Sequence, residues 1–240
     1  MKPRLQIYPN KTALVHATAE MLAATCVDAI HARGVCAIAL SGGTTPKEVY
    51  EVLAHESFRE RIDWPRVHWF WGDERMVPPE LSESNYRMTQ EAMLAHVPIP
   101  RSNVHRIKGE LTPQQAAQDY REELQAFFKG HEEIFDLILL GLGEDGHTAS
   151  LFPETTALQE MAHAATDVFV PKLDKWRVTL TLPILNQARK VVFLVAGKTK
   201  AEIVAGVLGL QQPALKWPAS LVQPQSGELY WLVDSEAAPR

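Results

Sequence analysis

Residues 35–46 read Val-Cys-Ala-Ile-Ala-Leu-Ser-Gly-Gly-Thr-Thr-Pro, and this stretch decides the fold class. Val35–Leu40 is a continuous apolar run, which is typical of a strand buried on both faces of a sheet. Two glycines and two threonines follow as a turn, and Pro46 suits the first turn of a helix over Thr45–His55. A buried strand that leads through a tight turn into a helix is the first part of a βαβ unit, so the segment predicts a parallel sheet.

The rest of the chain repeats this alternation of short apolar runs and helical patterns. Strands are predicted at Leu5–Tyr8, Val35–Leu40, Val67–Trp71, Val104–Ile107, Phe135–Leu140, Asp167–Val170, Arg177–Leu182, Lys190–Ala196 and Leu229–Val233. Helices are predicted at Thr12–Arg33, Thr45–His55, Ser84–Ala95, Pro113–Lys129 and Lys200–Leu208. The pattern predicts an α/β fold with a mainly parallel, Rossmann-like sheet and helices on both faces. Because no repeat or Gly/Ser-rich linker interrupts it, a single domain over residues 1–240 is expected.

The composition excludes several classes of protein and partner. The 240 residues carry 24 Lys+Arg and 29 Asp+Glu, a net charge of −5, and 46% are hydrophobic. These values are ordinary for a globular protein, and no basic run is present to neutralise the phosphates of a nucleic acid. Apolar runs such as Val191–Ala196 are far shorter than the roughly 20 residues of a membrane helix, and the N-terminus does not resemble a signal peptide. We therefore expect a cytoplasmic protein with no nucleic-acid or membrane partner.

The cysteines and histidines give no indication of a disulfide framework or a metal site. The two cysteines, Cys26 and Cys36, lie in an Ala-rich helical pattern and a buried strand, so both are expected to be packing residues. The nine histidines show no metal-ligand spacing. No metal site is expected on these grounds.

Functional side chains are sought beyond the carboxyl ends of the strands, where ligands bind in open α/β sheets. The first such loop is Ser41, Gly42, Gly43 and Thr44. Its glycines let backbone N–H groups approach an anion closely, and the helix that follows adds the partial positive charge of its N-terminus. The loop is either a phosphate cradle or an ordinary well-capped turn from strand to helix.

The second loop is Trp71-Gly72-Asp73-Glu74-Arg75. Two carboxylates and a guanidinium at a strand end are commonly a solvated turn with local ion pairs. The alternative is that Arg75 faces an anion or an oxyanion that develops during a reaction.

The third loop, residues 141–153, contains three glycines that formally match the Gly-x-Gly-x-x-Gly fingerprint of dinucleotide sites. That fingerprint needs a helix that opens directly from the loop, whereas Pro153 stops any helix early. It also needs an acidic residue at the end of the next strand, whereas Asp167 lies at the beginning of the next predicted strand. A dinucleotide site is therefore disfavoured.

The same loop places Asp145-Gly146-His147 just after a strand. A histidine held there can act as a general base near neutral pH, and the alternative is a capping or core histidine. Further along the chain, Arg177 and Lys200 also lie near predicted strand ends, and each is either surface charge or part of a site. If these ends share one rim, Arg75, Arg177 and Lys200 line a single anion pocket.

Taken together, these motifs resemble the 6-phosphogluconolactonase family. They are, in chain order, Ser41–Pro46, Gly72–Arg75 with Ser84-Asn85-Tyr86, the block Gly141–Pro153, Arg177-Val-Thr-Leu-Thr and Gly197-x-x-Lys200-Ala201. The resemblance covers nearly the whole chain. Glucosamine-6-phosphate deaminases share some elements, but their block continues to Asn-Glu-Pro, where this chain has Leu151-Phe152-Pro153.

The resemblance implies hydrolysis of the sugar-phosphate lactone 6-phospho-D-glucono-1,5-lactone without a metal or cofactor. It implies a general base at His147 oriented by Asp145, with Arg75 stabilising the oxyanion. The residues implied in substrate binding are Ser41, Gly42, Gly43, Thr44, Arg177 and Lys200 for the phosphate and Asn85 for sugar hydroxyls. Two alternatives are an amino-sugar phosphate deaminase or isomerase and a sugar-phosphate-binding module without activity.

Overall fold

A computed structural model describes residues 3–129, 134–210 and 217–239 of the chain. Its strands are β1 (Arg4–Tyr8), β2 (Cys36–Leu40), β3 (Val67–Trp71), β4 (Asp73–Arg75), β5 (Val104–His105), β6 (Leu137–Leu140), β7 (Ala165–Val170), β8 (Lys175–Leu180), β9 (Lys190–Val195) and β10 (Glu228–Asp234). Its α-helices are α1 (Lys11–Arg33), α2 (Thr44–Ala54), α3 (Glu56–Arg59), α4 (Asn85–Ala92), α5 (Pro113–Phe127), α6 (Leu182–Gln187) and α7 (Ala201–Val207).

Seven strands form one parallel sheet in the order β1-β10-β9-β6-β2-β3-β5. Every neighbouring pair in it is parallel, so the carboxyl ends of these strands share one edge. The predicted α/β class, with a mainly parallel sheet flanked by helices, is confirmed. The apolar core includes side chains from both sheets of the structure, and the single-domain expectation stays a prediction.

A second sheet departs from the predicted architecture. β7 and β8 pair antiparallel with each other, and β8 pairs antiparallel with β4, so they do not extend the parallel sheet. β4 is not among the predicted strands, because it is only three residues long and polar. Its partner is about a hundred residues further along the chain, and a pairing at that separation leaves no local pattern.

Most predicted elements are present, with shifted ends. Asn10 caps α1 by accepting a hydrogen bond from the backbone N–H of Ala13, and Gly34 ends the helix at a φ of 80°. The strand predicted at Arg177–Leu182 instead ends at Leu180. The residues that follow form α6, an unpredicted short helix with a proline in its first turn.

By length and composition, α1 is the one helix among the described residues that is apolar enough to cross a membrane. Charged residues interrupt its apolar stretches, so it does not stand out as an uninterrupted apolar run. Leu14, Leu22 and Cys26 of this helix are at most 1% exposed and pack in the core, while Glu20 pairs with Arg61 on the surface. α1 is thus packed as a core helix, and the cytoplasmic location stays a prediction.

Two buried tyrosines hold the strand ends from which the candidate site loops begin. The Tyr50 hydroxyl accepts a hydrogen bond from the Ser41 N–H at 2.9 Å and donates one to the Ser41 carbonyl at 2.8 Å. Tyr120 makes the same pair of bonds to Trp71, at 3.0 and 2.8 Å. The tyrosine hydroxyls thereby provide hydrogen-bond partners for the buried N–H and carbonyl groups of Ser41 and Trp71. These bonds fix the ends of β2 and β3.

A chain of three titratable groups lies away from that edge, under α5. His68 Nδ1 is 2.8 Å from His105 Nε2, and His105 Nδ1 is 2.5 Å from the Glu123 carboxylate. Burial and the neighbouring His105 lower the pKa of His68 from 6.5 to about 4. The folded protein therefore takes up this proton less readily than the unfolded chain does.

We expect His68→Gln to weaken the acid sensitivity of the fold. Because the pKa of His68 is lowered on folding, its contribution to stability is present above about pH 6.5 and is lost as the pH falls towards 4. Urea unfolding at about pH 7 and about pH 4.5 should show a smaller loss of unfolding free energy for the variant than for wild type. The exposed His31→Gln is the matched control. An identical pH dependence in His68→Gln and wild type would contradict this account.

Candidate active site

The loops after β2, β3, β6 and β9 surround a cleft of about 340 Å³ at the carboxyl edge of the parallel sheet. These four strands are successive neighbours, and the usual strand spacing makes the row about 14 Å wide. Nine of the ten predicted site residues line the cleft: Ser41, Gly42, Gly43, Thr44, Arg75, Asn85, His147, Arg177 and Lys200. Asp145 does not line it and lies behind His147.

The loop after β2 presents an open helix N-terminus to the cleft. Gly43 has a φ of 106°, a conformation that side chains disfavour, and α2 begins at the next residue without a side-chain cap. No acidic residue lies in the first turn of α2. The free N–H groups and the positive end of the helix are thus available to an anion.

Gly42 is required by the close approach of Asn85. A Cβ at position 42 would lie 2.0 Å from the Asn85 side-chain oxygen. The Asn85 amide nitrogen donates to the Asp73 carbonyl at 2.9 Å and lies 3.3 Å from the Asp73 carboxylate. Asn85 therefore links the loops after β2 and β3.

His147 is held from three sides. Its Nδ1 is 2.5 Å from an Asp145 carboxylate oxygen. The ring stacks on Phe152, with centroids 3.9 Å apart and planes 18° apart. A Cβ on Gly143 would lie 2.0 Å from Nδ1, so only glycine at position 143 leaves room for the ring in this orientation. With Nδ1 engaged, Nε2 is the ring nitrogen left for chemistry in the cleft.

Asp145 is ionised near neutral pH. Partial burial raises the pKa of its carboxyl group, but hydrogen bonds from His147 and Lys172 outweigh this effect and hold the pKa at about 2. Lys172 Nζ lies 3.0 Å from the second carboxylate oxygen. An ionised carboxylate can only accept hydrogen bonds, so Nδ1 of His147 must carry the proton and donate it. In the neutral ring, Nε2 is then unprotonated.

Arg75 and Arg177 lie side by side in the lining of the cleft, since they are paired residues of β4 and β8. Arg177 is 3.8 Å from the Asp73 carboxylate, and Asp73 also accepts a bond from Ser150 at 2.6 Å. Burial lowers the pKa of Arg177, with Asp73 acting in the opposite direction. The Nε atoms of both arginines are buried without a hydrogen-bond partner in the described part of the chain, so both retain capacity for an anion.

Glu74 supports this arrangement from within the protein. It is 2% exposed and accepts hydrogen bonds from the backbone N–H groups of Arg75, Asn85 and Tyr86 and from the Ser84 hydroxyl. Burial raises the pKa of its carboxyl group, and the backbone donors oppose the shift. This carboxylate ties the start of α4 to β4, which the solvated-turn interpretation of the loop did not anticipate.

The loop after β6 does not have the geometry of a dinucleotide site. Residues 141–153, all of them described, form turns and one isolated bridge, and no helix opens from the glycines. Across the described residues there is also no group of three or more His, Cys, Asp or Glu side chains arranged to hold a metal ion.

Sequence reasoning missed three contributors to the site. Phe152 belonged to a quoted motif, but stacking on His147 has no sequence signature. Lys172 reaches Asp145 from the connection between β7 and β8, and Asp73 joins Asn85 to Arg177. All three act through contacts with residues that local sequence patterns do not connect to them.

Comparison with known proteins gives the same assignment along the whole chain. A family model described as glucosamine-6-phosphate isomerases/6-phosphogluconolactonase matches residues 9–231. A 6-phosphogluconolactonase of Synechocystis is 43% identical over 241 residues, which cover 99% of this chain and 98% of that protein. The human 6-phosphogluconolactonase is 37% identical over 244 residues, covering 98% of this chain and 92% of that protein.

A solved structure agrees. That of the 6-phosphogluconolactonase from Trypanosoma brucei superposes with a TM-score of 0.86 at 30% identity, covering 98% of this chain and 97% of that one. The chain therefore belongs to the glucosamine-6-phosphate isomerase/6-phosphogluconolactonase family, and within that family it groups with the hydrolases, the 6-phosphogluconolactonases.

Proposed function

We propose that this enzyme hydrolyses 6-phospho-D-glucono-1,5-lactone to 6-phospho-D-gluconate, with His147 as the general base. The observation that carries the proposal is the pairing of the His147 ring with the Asp145 carboxylate beside a cleft that three cationic side chains line. A lactone needs an activated water, a group that stabilises the carbonyl oxygen and a hold on the phosphate. The cleft offers a candidate for each.

In the proposed reaction, His147 Nε2 takes a proton from water as the water oxygen attacks the lactone carbonyl carbon. The Asp145 carboxylate stabilises the imidazolium that forms, because it already accepts a bond at Nδ1. The tetrahedral intermediate then collapses, and the imidazolium returns the proton to the ring oxygen as the C–O bond breaks. A general base of this kind contributes about 10²–10⁴-fold to the rate.

Arg75 is the proposed donor to the oxyanion. Its backbone is fixed through Glu74, and its Nη1 donates to the Glu83 carbonyl, so the guanidinium is already oriented before substrate binds. A preorganised donor of this kind is worth roughly 3–4 kcal/mol in the transition state.

The phosphate of the substrate is proposed to lie against the loop Ser41–Thr44, between Arg177 and Lys200. The uncapped start of α2 supports this position, since a phosphate at a helix N-terminus is favoured by both hydrogen bonding and the dipole. Binding energy from this remote group positions the lactone for attack. Asn85 and Asp73 line the cleft on the side of Arg177 and are proposed to face sugar hydroxyls.

The deaminase alternative requires additional acid–base groups near the histidine. Phe152 occupies the part of the block where the deaminase motif has its acidic residue, and this phenylalanine is 6% exposed and stacked on His147. An apolar ring there supports the hydrolase over an amino-sugar deaminase.

The direct test uses lactone generated in situ and follows acid release. We expect a rate proportional to enzyme and well above spontaneous hydrolysis, with no ammonia released from glucosamine 6-phosphate. Ammonia release would indicate the deaminase, and neither activity would indicate a binding module.

Replacing His147 with glutamine should lower kcat by about 10²–10⁴-fold with little change in KM, since a base acts on the chemical step. His163→Gln is the matched control, because His163 is also paired with a carboxylate but does not line the cleft. Retention of near-wild-type kcat in His147→Gln would refute the assignment of the base.

Lys200→Ala and Arg177→Ala should each weaken use of the phosphorylated lactone selectively. Loss of one charge-assisted contact predicts a drop in kcat/KM of about tenfold or more, with unphosphorylated D-glucono-1,5-lactone much less affected. Lys198→Ala is the control, since this neighbouring lysine is exposed and does not line the cleft. Equal losses with both lactones would argue against a phosphate contact.

A further inference from the structure

The carboxyl group of Asp234, at the end of β10, is buried without a cationic partner. The residue is 3% exposed, and no Lys, Arg or His of the described chain lies within ion-pair distance of it. Its oxygens instead accept backbone hydrogen bonds from Gly197, at 3.0 and 3.1 Å, and from Ala237, at 2.8 Å. Burying a carboxylate costs free energy unless hydrogen-bond donors compensate for the lost water. The backbone N–H groups of Gly197 and Ala237 are these donors for Asp234.

The main partner of Asp234 is the glycine that leads to Lys200. β9 ends at Val195, and Gly197 follows with a φ of 96°. Gly197 opens a short 3₁₀ turn, Lys198–Lys200, in which the Lys200 N–H donates to the Gly197 carbonyl at 3.0 Å. Gly197 therefore links the two residues: its N–H donates to the Asp234 carboxylate, and its carbonyl accepts from the Lys200 N–H.

The sheet register explains why Asp234 can reach this loop. β10 and β9 are parallel neighbours, and Val233 is level with Val195. Asp234 is thus one residue beyond the last pair, where the ladder stops and the Gly197 N–H needs another acceptor. The carboxylate replaces the missing strand carbonyl and holds the chain as it turns towards the cleft.

We propose that Asp234 is a positioning residue for substrate phosphate: it fixes the loop after β9 so that Lys200 is held ready in the cleft. The inference rests on the proposed function, in which Lys200 binds the phosphate. Asp234 touches neither the cleft nor His147, since it is absent from the cleft lining. Its effect is therefore confined to substrates that use Lys200.

Asp234→Asn tests this inference. An amide has one acceptor oxygen in place of two, and its NH₂ group faces a backbone N–H, so the loop loses its anchor with little change in volume. We expect kcat/KM for 6-phospho-D-glucono-1,5-lactone to fall about tenfold through KM, as for the loss of one charge-assisted contact. Activity on D-glucono-1,5-lactone should stay within about twofold of wild type.

A double-mutant cycle separates positioning from a general structural role. In the Lys200→Ala background, Asp234→Asn should have no further effect on use of the phosphorylated lactone. Asp136→Asn is the control: Asp136 is a second buried carboxylate, 6% exposed, which accepts a backbone hydrogen bond from Ala37 and pairs with Arg33, and it lies at the opposite end of the strands. It should change stability without changing selectivity between the two lactones. Additive losses in the cycle, or equal losses on both lactones in Asp234→Asn, would overturn the inference.

Gly197→Ala gives a second test if Asp234→Asn fails to fold. An added Cβ would meet no atom within 4 Å, so the strain comes only from the backbone at a φ of 96°. This variant should reproduce the phosphate-selective loss, and an unselective loss would overturn the inference. Dissociation constants for inorganic phosphate test the role of Asp234 separately from the proposed lactonase activity. If wild type fails to hydrolyse the lactone, weaker phosphate binding in Asp234→Asn and Lys200→Ala still supports Asp234, and unchanged binding refutes it.

Discussion

The hydrogen bond between Asp145 and His147 is the interaction on which the rest of the candidate site depends. The carboxylate is ionised, with a pKa held at about 2, and it lies 2.5 Å from Nδ1. A carboxylate in that position determines which ring nitrogen keeps a proton and which one is free. Gly143 and Phe152 then restrict the orientation of the ring. The cleft thus receives an imidazole ring whose orientation is set before substrate arrives.

The parallel sheet brings the other residues of the cleft together, because they lie on loops that follow neighbouring strands. Four neighbouring strands end at the same edge, so residues far apart in sequence line one cleft. The antiparallel second sheet contributes Arg177 by pairing β8 with β4. Lys172, from the β7–β8 connection, lies 3.0 Å from the Asp145 carboxylate behind His147. The buried carboxylates Glu74 and Asp234 both accept backbone hydrogen bonds near the cleft. Glu74 holds the start of α4, and Asp234 holds the loop that follows β9.

The loops of the site were predictable wherever local chemistry decides them. The glycines after β2 and β6, the histidine in the second of these loops and the helix α1 all follow from short-range patterns. The pairing of Arg75 with Arg177 did not, because β4 is three polar residues whose partner strand is distant. The stacking of Phe152 and the reach of Asp234 to Gly197 are likewise tertiary. Side chains that position other side chains leave little trace in local sequence.

The most direct measurement of the central claim is the protonation state of the two His147 ring nitrogens in the resting enzyme. Heteronuclear NMR near neutral pH, assigned by loss of the signals in a His147 variant, reports each nitrogen separately. The account predicts a proton on Nδ1, shared with Asp145, and an unprotonated Nε2. A neutral ring with its proton on Nε2 would contradict it.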